Sequence, residues 1–146
     1  MKGIVRKAGA VWTGDLRQGR GTISTESAVL SEVPYGFATR FENEPGTNPE
    51  ELIAGAHAAC YAMAFANTLN RQGHKPERID VQAACVLEKQ KEGFAITRMK
   101  LQVRGMVPGI DGDTFFQIAK EADKGCPVSN LLRPGLTIEL ATELLS

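Results

Sequence analysis

No two cysteines of this chain stand close together. Cys60, Cys85 and Cys126 form an odd, widely spaced set without a C-x-x-C pair, which argues against a zinc ribbon and against the even framework of a secreted, disulfide-stapled domain. Neither sign of charge is in excess: 17 Lys plus Arg balance 17 Asp plus Glu, for a net charge of 0. A surface for nucleic acid or an anionic membrane needs a basic bias that is missing here. The start lacks a long apolar run, because Lys2, Arg6 and Lys7 interrupt it. It does not read as a secretory signal, and the expected compartment is the cytoplasm. Repeats and low-complexity linkers are lacking too, so 146 residues are expected to form one domain, residues 1–146.

What the chain does hold is a stretch without charge. Residues 52–70 contain no Asp, Glu, Lys or Arg, close to the ~20 residues of a membrane span, but their small residues and His57, Asn67, Thr68 and Asn70 argue against spanning. The stretch follows Thr47-Asn48-Pro49-Glu50-Glu51. There Asn48 suits an N-cap, Pro49 the first helical position and Glu51 the return partner of a capping box. The spacing predicts a helix from Pro49 to about Arg71, stopped before Gly73. Its interior is apolar on nearly every face, which a surface helix is not. Such a helix is expected to be buried all round, and a chain this short needs a second copy to cover it.

Before this helix, residues 3–13, 20–30 and 36–41 are rich in Val, Ile, Thr and aromatics and read as an antiparallel sheet. After it, residues 79–90 and 94–106 read as a hairpin about Gly93, with Met99, Leu101 and Val103 alternating against Arg98, Lys100, Gln102 and Arg104. Phe115, Ile118, Ala119 and Ala122 have helical spacing within 113–124, and a last strand is expected at about 136–142. The order of sheet, helix, hairpin, helix and strand predicts the α+β class.

Taken alone, Cys60 in the apolar helix reads as a core thiol, since free cysteine is among the most buried residue types. An apolar site raises a thiol pKa, so chemistry there requires a nearby cation or a helix N-terminus. Cys126 precedes Pro127, which looks like the first residue of a short helix. As N-cap its thiol would face free backbone N–H groups that favour the thiolate; a plain turn cysteine is the other reading, and the residues leave both open. Cys85 alternates with Val81, Ala83 and Leu87 and reads as core. His57, one turn before Cys60, reads as a structural or hydrogen-bonded histidine, since nothing marks the orienting acid or oxyanion hole of a Cys/His hydrolase. A metal site from His57, Cys60 and Cys126 lacks a fourth ligand.

Four segments together are specific: Tyr35-Gly36-Phe37-Ala38-Thr39-Arg40-Phe41, Gly46-Thr47-Asn48-Pro49-Glu50-Glu51-Leu52-Ile53, His57-Ala58-Ala59-Cys60 and Gly125-Cys126-Pro127-Val128-Ser129. They resemble the OsmC branch of the OsmC/Ohr family, over essentially the whole chain. The resemblance implies an OsmC-like fold, with antiparallel sheets around a long buried central helix in an intertwined homodimer. It implies a thiol peroxidase that reduces organic hydroperoxides with no bound cofactor and is recycled by a dithiol such as a lipoylated protein. By the same resemblance Cys60 is the peroxidatic thiol, Cys126 the resolving one, Arg40 the guanidinium beside the peroxide and Glu50 the acid that pairs with it. The Ohr branch takes its arginine from an earlier loop, where this chain has Arg17 and Arg20, so Arg40 and Arg20 both stand as candidates. An apolar surround of Tyr35, Phe37 and Met63 would prefer an alkyl hydroperoxide to hydrogen peroxide. The competing reading is a non-enzymatic dimeric module that binds an apolar small molecule or senses oxidants.

Overall fold

The chain runs β1 (Ala8–Thr13), β2 (Arg20–Thr25), β3 (Val33–Tyr35), α1 (Phe37–Phe41), α2 (Pro49–Arg71), β4 (Arg78–Gln90), β5 (Gly93–Met106), α3 (Gly112–Gly125), α4 (Pro127–Leu132) and β6 (Thr137–Leu145) in a computed structural model that describes residues 2–146. This is the α+β arrangement expected. Two compact units divide between Leu52 and Ile53, and each is described by itself.

In the N-terminal unit β1, β2 and β3 form an antiparallel sheet in that order. Gly21 on β2 lies under Tyr35 and Trp12, where a Cβ would meet the Trp12 ring at 2.6 Å. Only glycine lets those rings close over the strand. Residues 36–41 are not the third strand expected. Residues 37–41 form α1 instead, because the Gly36 N–H donates to Thr39 Oγ1 at 2.9 Å while that hydroxyl donates back to the Gly36 carbonyl at 3.0 Å. The β-like composition is outweighed by this local pairing and by the Phe37 and Phe41 rings, 5.0 Å apart across one turn. Helix α2 starts where Asn48 caps it, accepting from the Glu51 N–H at 2.8 Å. The Glu51 carboxylate takes the Thr47 hydroxyl at 2.8 Å.

In the C-terminal unit β4 and β5 pair antiparallel as the hairpin expected. Strand β6 lies parallel to β5, so the sheets are antiparallel but for this one strand. The reason is the connection: α3 and α4 carry the chain back across before β6 begins, as a parallel pairing requires. Helix α2 ends at Gly73, whose φ of +86° lets the His74 N–H reach the Leu69 carbonyl at 2.9 Å. The core joins Tyr61, Phe65 and Leu69 of α2, Met99, Leu101 and Val103 of β5, and Phe115, Ile118, Ala119 and Ala122 of α3. Each large side chain fully buried there contributes about 1.5–3 kcal/mol of transfer free energy. Cys85 packs on its margin beside Val81 and Ala83, as its alternation predicted.

Helix α2 is not buried all round by its own chain. His57, Tyr61, Phe65, Thr68 and Leu69 are buried, whereas Gly55, Ala56, Ala59 and Asn67 are exposed and Met63 is 75% exposed. One chain supplies cover for one face. By length and composition α2 is also apolar enough to cross a membrane.

Candidate active site

Glu50 opens α2 and is 7% exposed. A carboxylate so placed requires a partner, because burying an unpaired charge is costly. Arg40 at the end of α1 provides it: Nε donates to Oε1 at 2.9 Å and to Oε2 at 3.2 Å, and Nη2 lies 2.9 Å from Oε1. The guanidinium also lies over the Phe41 ring, 5.2 Å from its centroid. Asn48 braces the pair by donating from Nδ2 to the Thr39 carbonyl at 3.0 Å, joining the start of α2 to α1. Arg40 and Glu50 therefore meet as the resemblance implied. Arg17 is used otherwise, stacked 4.7 Å over the Phe37 ring, and Arg20 opens β2. Beside Arg40 a cavity of about 300 Å³ is lined by Trp12, Leu16, Tyr35, Phe37 and Phe41. Tyr35 and Phe37 thus belong to an apolar cavity of the N-terminal unit, and the exposed Met63 is not part of it.

The cysteine pair is in the C-terminal unit. Cys60 sits on α2 half-buried, and Cys126 is fully buried at the junction of α3 and α4. Cys126 holds φ −82° and ψ 115°, which ends one helix and lets Pro127 begin the next. The Cys126 thiol donates to Cys60 Sγ at 3.5 Å. Two thiols 66 residues apart in sequence are thereby in direct contact. Of the two readings left open, Cys126 takes the N-cap position of α4, but its thiol makes no capping hydrogen bond. The backbone N–H of Val128, in the first turn of α4, serves Cys60 instead. The helix N-terminus favours the thiolate of the partner sulfur.

Burial pushes the Cys60 thiol above its ordinary value, the Val128 N–H pulls it back, and the adjacent Cys126 sulfur opposes a second negative charge. Behind the sulfurs, His57 Nε2 and Ser129 Oγ are 2.7 Å apart, both residues at 0% exposure. Burial holds His57 below the usual imidazole range, with Asp123 drawing it up and Arg133 pushing it down. Arg133, the C-cap of α4, pairs with Asp123 of α3 at 3.0 Å and donates to its carbonyl at 3.2 Å. The Tyr61 hydroxyl donates to the Ala119 carbonyl at 2.7 Å, and burial raises its pKa far above the phenol range. Helices α2, α3 and α4 are thus tied to one another by these bonds.

Residues 41–141 match the family model of OsmC-like proteins. The chain is also 51% identical to "Peroxiredoxin OsmC" of Escherichia coli K12 over 136 residues, covering 93% of this chain and 95% of that one. The chain belongs to the OsmC family. A second OsmC/Ohr relative, the "Organic hydroperoxide resistance protein" of Xanthomonas axonopodis pv. citri, is 27% identical over 94% of both chains. Among solved structures, the organic hydroperoxide resistance protein OhrB of Bacillus subtilis superposes with a TM-score of 0.75 at 23% identity, over 94% of this chain and 98% of that one. That of Elizabethkingia anophelis superposes with a TM-score of 0.76 at 22% identity, over 99% and 100%. These two show that the chain has the α+β fold of OsmC/Ohr proteins.

Of the residues expected to act, the structure joins Cys60 with Cys126 in one unit and Arg40 with Glu50 in the other. Reading the residues alone missed the parts played by the Val128 N–H, Ser129 and the Asp123–Arg133 pair. The signal for Ser129 was present: it follows Cys126 by three residues as His57 precedes Cys60 by three.

Proposed function

We propose that this chain is a cysteine-based peroxidase that reduces organic hydroperoxides to alcohols. The observation that carries the reading is the Cys60–Cys126 contact at 3.5 Å in a chain half identical to a peroxiredoxin. Cys60 is the peroxidatic thiol. Its thiolate attacks the distal peroxide oxygen, the O–O bond breaks, and the departing alkoxide takes a proton to leave as ROH, so that Cys60 becomes a sulfenic acid. The Cys126 thiol then condenses with it, expelling water and forming the disulfide. A dithiol of the lipoyl type returns both thiols by exchange. Arg40 is the cation that favours the thiolate and the transferring peroxide oxygens, and Glu50 holds it by the fork described above. An aromatic-lined cavity beside Arg40 supports a preference for an alkyl or aryl peroxide over hydrogen peroxide.

The chain works as one OsmC-like domain over residues 1–146, as a homodimer and in the cytoplasm, without a cofactor. The half-covered α2 supports the dimer, and three free thiols suit a reducing compartment. The deciding experiment treats the reduced protein with one equivalent of cumene hydroperoxide and weighs the intact chain. Loss of two hydrogens with release of one equivalent of cumyl alcohol is expected, and Cys60→Ser abolishes both. An unchanged mass would leave the small-molecule-binding reading in its place.

A further inference from the structure

Helices α2 and α4 are joined by two side-chain bridges. One is the sulfur pair, Cys60 to Cys126; the other is His57 to Ser129. His57 stands three residues before Cys60 and Ser129 three after Cys126, so each bridge is about one turn from the other on both helices. Arg133 anchors the far end of α4 to Asp123; at its first turn the sulfur contact alone would set only one point of approach to α2, whereas two bridges also fix the orientation. The bridges also differ in kind. A thiol–sulfur contact is long and weakly directional, but an imidazole and a hydroxyl at 2.7 Å hold a defined geometry.

Stability alone does not explain this pair. His57 Nδ1 is buried without a hydrogen-bond partner among the described residues, so the ring sits in the core with one polar atom unsatisfied. Replacing both members of such a pair by apolar groups of like shape is close to neutral for folding. We infer that His57 and Ser129 are positioning residues for the second half of the reaction, holding α4 so that Cys126 stays within reach of oxidised Cys60. This rests on the peroxidase reading above.

The chemistry gives that reach its importance. Once Cys60 is a sulfenic acid, two reactions compete for it. Cys126–SH attacks the sulfenic sulfur, giving Cys60–S–S–Cys126 and water. Alternatively a second hydroperoxide oxidises the same sulfur, giving Cys60–SO₂H and ROH, and the cysteine is lost to further turnover. For the first outcome the sulfurs must close from 3.5 Å to about 2.05 Å. A helix that pivots away spends less time at that approach, and the second peroxide gains. The bridge keeps its form across neutral pH. His57 is faced by Asp123 of α3, Ser129 of α4 and Arg133 at the end of α4, and with the Asp123 and Arg133 charges paired, burial keeps the ring neutral.

The test counts products on the full chain. Reduced protein is treated with a few equivalents of cumene hydroperoxide without reductant, and intact mass gives the ratio of disulfide to sulfinic acid. Ser129→Ala is expected to raise the sulfinic share roughly fivefold, the effect of losing one hydrogen bond's worth of positioning. Ser129→Thr keeps the hydroxyl and is expected to restore the wild-type ratio. A merely structural role would lower the melting temperature without moving that ratio. His57→Phe, which fills the space with no nitrogen, is the second disruption and should match Ser129→Ala. An unchanged ratio in either folded variant, or failure of both to fold, overturns the inference. A wild-type chain that forms neither product fails the peroxidase reading itself, which separates the two.

Discussion

Cys60 is under opposed influences, and the outcome decides whether it reacts. Burial raises its pKa and the Val128 N–H lowers it; the proposed mechanism needs a further pull toward thiolate, for which Arg40 is the candidate. Removing a cation that favours a thiolate raises its pKa by roughly one unit, so Arg40→Ala is expected to shift the pH midpoint of Cys60 alkylation upward. Because that change strands the buried Glu50, the cleaner variant is Arg40→Ala with Glu50→Gln, which leaves no unpaired charge. Arg40→Lys keeps the charge but not the fork and should fall between. The same shift from Arg20→Ala, with none from Arg40→Ala, would move the role to Arg20. His57 makes a second prediction at this scale. Its folded pKa lies below the ordinary 6.5, so between those values the unfolded chain binds a proton that the folded chain does not. Its contribution to stability is therefore complete above pH 6.5 and is lost as pH falls toward the folded value. Thermal melts from pH 7.5 to 5 should show the midpoint falling, with a shallower fall for His57→Gln.

Among the elements, α2 was the most legible in the sequence and α1 the least. Helix α2 announces itself through Asn48, Pro49 and Gly73, which act locally and so can be read locally. Phe37-Ala38-Thr39-Arg40-Phe41 has the composition of a strand, and only the Thr39 hydroxyl returning to Gly36 turns it into a helix. The parallel pairing of β6 was hidden for another reason: strand direction depends on where α3 and α4 deliver the chain, which no residue of Leu136 to Leu140 encodes. The pairing of Arg40 with Glu50 and of Cys60 with Cys126 came from family resemblance, since side chains brought together by tertiary folding leave no periodic trace. Asn48 tests the legible part. It caps α2 and also holds the Thr39 carbonyl, so Asn48→Ala should cost about 1–2 kcal/mol. Differential scanning calorimetry should show the midpoint lowered by roughly 2–8 °C, and activity should fall with it because the same residue braces Arg40 and Glu50.

At the scale of the whole molecule the question is what covers the rest of α2. Gly55, Ala59 and Met63 recur every four residues and so lie along one stripe, exposed on the single chain. An uncharged stripe of small residues ending in a 75% exposed methionine is poorly placed against water, and it allows a neighbouring backbone to approach closely. A bilayer would satisfy it as well by composition, but the opposite face of the same helix carries His57, Tyr61 and Thr68 with their hydrogen bonds to Ser129, Ala119 and Ala64. That face is already packed in a protein core, and in the dimer proposed above a second copy of the chain would cover the open stripe. Ala59→Glu would place a charge in the middle of that contact, where its desolvation is uncompensated. Sedimentation velocity at micromolar concentration is expected to show a dimer for the wild-type chain and a monomer for Ala59→Glu, with the far-ultraviolet spectrum unchanged because residue 59 points away from the core. A wild-type monomer would remove the second copy, and with it the account of why a helix so poor in charge is half open.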